Sequence, residues 1–118
     1  MKRFIVELGW GADLHGQDYT KAAVKAVKDA ISRSCLCGLV EIFNMENLND
    51  MQVEVVLASP APESIDPNKV KEVIPFGTIE VKTVKGGMSV EGLCVKELGD
   101  GCQDIVVVNA ALTVYIDV

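Results

Sequence analysis

Asp13 and His15 stand two residues apart inside GWGADLHGQD, residues 9–18, together with three glycines, Asp18, and the only histidine and tryptophan of the chain. A carboxylate and an imidazole at that spacing in a loop can converge on one small volume. There they can act as an acid/base and its orienter, or as two ligands of a divalent metal. Glu7 and Asp18 flank the pair and would add oxygens. Glycines let a backbone come close to a ligand, so amides near Gly11 and Gly16 would serve as oxyanion donors. On this reading His15 is the acid/base and Asp13 its orienter or a metal ligand, while Gly9, Gly11, Gly16, Lys21 and Asn109 bind the ligand. The chemistry would be hydrolysis or isomerisation of a small polar metabolite. A second reading is as open: Asp13 and His15 bond the loop backbone and brace a tight turn. The chain is then a non-catalytic ligand-sensing or assembly subunit.

The glycine spacing, G-x-G-x4-G, narrows the choice. It misses the G-x-G-x-x-G of dinucleotide sites and the phosphate loop of nucleotide hydrolases, and Asp13 would repel a phosphate. Lys21 falls one turn into the following helix, where it is either solvated or a substrate anchor. Asn109 interrupts the apolar run VVVNAAL; it satisfies a local backbone group or lines a pocket. Trp10, between two glycines, is a lid or an interface anchor. Four cysteines, Cys35, Cys37, Cys94 and Cys102, have spacings unlike structural zinc sites and read as reduced thiols. No cofactor is specified, a divalent metal on Asp13 and His15 being the lesser alternative.

The elements around the loop are legible from periodicity. RFIVEL (3–8) alternates as a β-strand, with Phe4, Val6 and Leu8 on one face and Ile5 and Glu7 on the other. Asp18 caps a helix predicted over 19–33, whose alanine-rich stripe would let it approach a sheet closely. LVEIF within 34–50 reads as a helical turn followed by a polar loop. MQVEVVLAS (51–59) is a strand ended by Pro60, and Asp66-Pro67 opens a short helix to about Val73. TIEVKTV (78–84) alternates strictly, Lys85-Gly86-Gly87 makes a turn, and MSVEGL (88–93) would return as a hairpin. After a Gly99-Asp100-Gly101 loop, DIVVVNAALTVYIDV (104–118) is apolar on both faces. That suits a long central strand covered by helices on one side and a neighbouring subunit on the other. The fold expected is one α+β domain over 1–118, a mixed β-sheet with two helices packed on one face.

Composition bounds the partners. The 118 residues carry 17 acidic and 11 basic side chains for a net charge of −6, and only Arg3 and Arg33 are arginines. Without clustered cations, nucleic acid is a poor partner. No stretch reaches the roughly 20 apolar residues of a membrane span, and no signal-peptide pattern precedes the first strand. A cytoplasmic location is expected. Mean hydropathy is +0.28, high for a small soluble monomer, so the excess apolar surface predicts a homo-oligomer.

Gly9-x-Gly11-x-Asp13-x-His15-Gly16 just after the first strand, with Gln17-Asp18 and Thr20-Lys21-Ala22-Ala23, resembles the signature of a small family of uncharacterised proteins of this length. The likeness runs on through VEVVLASP to NAALTV and implies no activity. In its element order the chain also resembles the trimeric chorismate mutase type, the YjgF-type enamine deaminases and the ring-opening amidohydrolases. That resemblance implies a homotrimer with small-molecule sites in the clefts between subunits. Chorismate mutase activity itself is disfavoured, because that enzyme type stabilises its dicarboxylate substrate with strand arginines that this chain lacks. Lys85-Gly86-Gly87-Met88-Ser89 only faintly echoes the serine–lysine pairs of the amidohydrolases.

Overall fold

The computed structural model describes residues 1–94, 97 and 104–118. Five strands, β1 (Lys2–Asp13), β2 (Gln52–Ser59), β3 (Thr78–Lys85), β4 (Met88–Val90) and β5 (Ile105–Ile116), form one mixed sheet. Three helices, α1 (Tyr19–Ile31), α2 (Gly38–Glu41) and α3 (Pro67–Lys71), complete the α+β domain. Strand order is β1-β5-β2-β3, with β2 and β3 parallel and the other pairings antiparallel. The 99–101 loop expected from the sequence lies outside the described residues. Among the described residues no helix is long and apolar enough to cross a membrane.

The long first strand is the main departure from the sequence reading. β1 does not end at Leu8 but runs to Asp13, so half of GWGADLHGQD is sheet rather than loop. The alternation carries on through the glycines: Ile5, Glu7, Gly9, Gly11 and Asp13 face the helices, while Val6, Leu8 and Trp10 face away and are exposed. A register shift between Arg3 and Ile5 places Phe4 at a bulge.

What extends the strand is α1. Asp18 accepts from the amide of Lys21 at 3.0 Å and starts the helix as the sequence indicates, though Ile31, not Arg33, ends it. Its buried stripe is Ala22, Ala23, Ala26, Val27 and Ala30. A Cβ on Gly9 would meet Ala30 N at 2.4 Å and Ala26 O at 2.5 Å; one on Gly11 would meet Ala22 O at 2.4 Å. Alanines on the helix and glycines on the strand thus bring two backbones together where larger side chains would hold them apart. Val53, Val55 and Leu57 from β2 and Val106, Val108, Leu112 and Val114 from β5 make the rest of this core layer.

The expected β3–β4 hairpin does not form. β2 stops before Pro60, which cannot continue a central ladder, and leaves the first residues of β5 unpaired on that side. β4 takes the vacant place, Met88 opposite Val107 and Val90 opposite Ile105. The chain crosses over the end of β2 at Gly86 and Gly87. Gly87 has φ +66, and a Cβ there would lie 2.2 Å from the carbonyl oxygen of Val107. β5 is the central strand, as its composition suggests. One of its faces is buried under helices, and the other, with Val107, Asn109, Ala111, Thr113 and Tyr115, is part of an open sheet surface.

Candidate functional site

The turn between β1 and α1 is organised by Asp13. Its carboxylate lies at the helix-facing end of β1, 4% exposed. Oδ2 accepts from the amide of Asp18 at 2.8 Å and from that of Gly16 at 3.2 Å. Lys21 Nζ stands 3.7 Å from Oδ1. Asp18 is the cap residue of α1, whose amide has no intrahelical partner, and Gly16 lies two residues before it, so the one carboxylate ties the turn to the start of the helix. Gln17 adopts φ 48, a left-handed conformation uncommon for a side-chain-bearing residue. Two bonds hold it: Gln17 Nε2 donates to the Tyr19 hydroxyl at 2.9 Å, and its Oε1 accepts from the amide of Asp104 at 3.2 Å. The turn is therefore tied to both the start of α1 and the approach to β5.

Around this turn is a shallow cavity of about 440 Å³ with Asp13, His15, Gly16, Asp18, Lys21 and Lys25 on its walls. Sequence reasoning placed five of these, Asp13, His15, Gly16, Asp18 and Lys21, in one site, and the structure brings those five together. His15 is exposed there. Lys25 is a wall residue that the sequence reading does not single out; its Nζ donates to the carbonyl of Ala12 at 3.0 Å. The cue for it was its position one turn beyond Lys21 on the same helix.

The other candidates lie elsewhere. Gly9 and Gly11 sit beneath α1 with helix backbone against them, so their Cα faces look into the helix–sheet contact and away from the mouth of the turn. Asn109 is in β5, directly opposite Trp10, on the open side of the sheet. Glu7 is six residues before Asp13 on the same strand face, about 20 Å away at roughly 3.3 Å per residue. It cannot add an oxygen to the Asp13 site, and instead accepts a short hydrogen bond from the Ser34 hydroxyl. Among the described residues no group of three or more histidine, cysteine or acidic side chains is placed to hold a metal ion. Cys35 and Cys37 are free, whereas Cys94 is in a disulfide, which corrects the expectation of four reduced thiols and removes it from any four-thiolate set.

A family model described as a conserved hypothetical protein, Lin0512_fam, matches residues 3–114, which takes in the turn, α1, β2, β3, β4 and most of β1 and β5. The chain belongs to that family. Asp13, Gly9 and Gly11 fall within the matched span. A solved relative is similar over nearly the whole length: the crystal structure, at 1.22 Å, of an FtsZ-like protein of unknown function from Nostoc punctiforme. It is 39% identical, has a TM-score of 0.91, and the match covers 99% of this chain and 97% of that one. No protein of curated function matches the chain.

Proposed function

We propose that this member of the Lin0512 family is a non-catalytic assembly subunit, a homo-oligomer in which the Asp13 turn is a structural brace. The observation that carries the reading is the open face of the sheet. Leu8 and Trp10 are 64% and 57% exposed; Leu8 stands opposite Ala111 with Val56 beyond it, and Trp10 opposite Asn109 with Ala58 beyond it. Met88 and Val107 extend this band, and Glu54, Glu80 and Lys82 border it. One face of the sheet is thus left without a covering layer, and exposed, largely apolar surface of this kind is typical of an interface. Burying a leucine-sized side chain contributes about 1.5–3 kcal/mol, so a few such residues suffice to favour association. Three copies with these faces around a common axis, as in chorismate mutase-like folds, would cover the band. The FtsZ-like description of the Nostoc punctiforme relative supports no particular reaction.

Light scattering on the purified chain tests this, alongside Leu8→Glu and Trp10→Glu. The wild type should be oligomeric, with three subunits favoured, and the variants folded by circular dichroism but smaller. A monomeric wild type, or variants with unchanged subunit number, overturns it.

A second reading retains a small-molecule site at the turn, because the cavity there gathers His15, Lys21 and Lys25. It would suit a small anionic metabolite, with His15 as the acid/base of a hydrolase or isomerase. Replacing His15 by Ala should then abolish ligand binding or turnover without loss of stability, whereas the brace reading expects the melting temperature to fall.

A further inference from the structure

Far from the Asp13 turn, a second cavity opens between the sheet and the segment that follows α1. It holds about 340 Å³, inside the range of small-molecule sites. Its walls are mostly apolar: Ile31, Leu39, Val53, Ile74, Leu112 and Val114 line it from α1, α2, β2, the segment after α3 and β5. Glu7 sets one carboxylate into this wall, on a residue 7% exposed. Ser34 Oγ donates to Glu7 Oε2, and no lysine, arginine or histidine among the described residues pairs with it. A carboxylate has room for about four hydrogen bonds, so one hydroxyl leaves most of its acceptor capacity unmet. Burying such a group among apolar side chains is costly unless a counter-charge or further donors are supplied.

We propose that this cavity binds a small apolar amine, its ammonium group seated on the Glu7 carboxylate and its hydrocarbon body against Leu39, Val53 and Leu112. The chemistry of the walls selects the class. An acid would place like charge against Glu7, and a neutral hydrocarbon would leave the carboxylate unpaired. An ammonium donates up to three hydrogen bonds in a charge-assisted contact, while the rest of the ligand replaces water against apolar walls. Cys35 and Cys37 stand at the rim as free, exposed thiols, and Ser34 holds the carboxylate in place from the same segment. This inference stands independently of the assembly reading, since it uses the helix-covered face and none of the open-face residues.

The probes are 2-phenylethylamine and its neutral counterpart 2-phenylethanol, titrated at pH 7 into the intact chain while methyl resonances are followed by NMR. The amine should shift Leu39, Val53 and Leu112 methyls saturably, with a Kd at least about tenfold below that of the alcohol. Glu7→Gln should remove that preference while leaving the alcohol unaffected. Ser34→Ala, which keeps the carboxylate, should retain it. Equal affinities for the two probes on the wild-type chain, or saturable shifts confined to other residues, or no saturable shift with the amine, would overturn the proposal. The wild-type comparison decides the matter even if Glu7→Gln fails to fold.

Discussion

A Cβ on Gly11 would lie 2.5 Å from the backbone nitrogen of Ala26, closer than any real pair of such atoms. Gly9 and Gly11 are therefore explained by how near α1 comes to β1, and the first two glycines of G-x-G-x4-G describe packing. Gly16, the third, differs: a Cβ there would have only Asp13 Oδ2 nearby, at 3.1 Å.

Gly11→Ala should cost about 3 kcal/mol or more, because helix backbone cannot yield as a side chain does. Gly16→Ala should cost within about 1 kcal/mol. Urea unfolding of both variants checks the contrast; equal losses would mean that helix contact is not what requires glycine at 11.

Asp13→Ala removes the acceptor for two turn amides and leaves both donors without their partner. A loss of about 2–4 kcal/mol is expected, since hydrogen bonds to charged groups contribute more than neutral ones. Lys21→Met should cost less than about 0.5 kcal/mol, because an ion pair whose lysine is 60% exposed is largely screened. Thermal melts of the two variants give the comparison. A destabilisation by Lys21→Met as large as that by Asp13→Ala would show that the ion pair, and not the amide bonds, holds the turn.

Much of this architecture was visible in residue patterns. Asp18 as helix cap, the alanine stripe of α1, the Pro60 stop and the central place of β5 all followed from local chemistry. The extent of β1 did not, because Gly9 and Gly11 have no side chains to show the alternation they continue, and glycine in a strand ordinarily signals a break. The partner of β4 was also hidden: a Gly-Gly turn after an alternating run suggests a hairpin, and only the early end of β2 shows that β5 has an unfilled edge. At the candidate site, the nearness of Asp13, His15, Gly16 and Lys21 was legible from spacing alone. Asn109 and Glu7 were not placeable, since their positions depend on strand register and on which face α1 covers.

Gly87→Ala should loosen β4 selectively. At φ +66 and with the Val107 carbonyl in the way, an alanine would force the chain off the end of β5. Hydrogen exchange at 88–90 should quicken, while amides of β2 remain protected by pairing on both sides. Uniformly faster exchange through β2 and β5 would show that β4 is integral to the whole sheet.

The outer edge of β1 carries backbone groups that no strand among the described residues pairs, and α1 covers two of them. Asp29 Oδ2 accepts from the amide of Trp10 at 2.9 Å, and Lys25 donates to the carbonyl of Ala12. Arg33 in turn holds Asp29 with two contacts, at 2.8 and 2.9 Å. A long uncovered edge is a template for pairing with other chains, and charged groups over it discourage that. Asp29→Leu combined with Lys25→Met should free both backbone groups without disturbing the alanine stripe beneath. The double variant is expected to keep its helix content yet form larger, concentration-dependent species in sedimentation velocity. If its sedimentation matches the wild type across concentrations, the two side chains do not guard the edge and their bonds serve only to anchor α1.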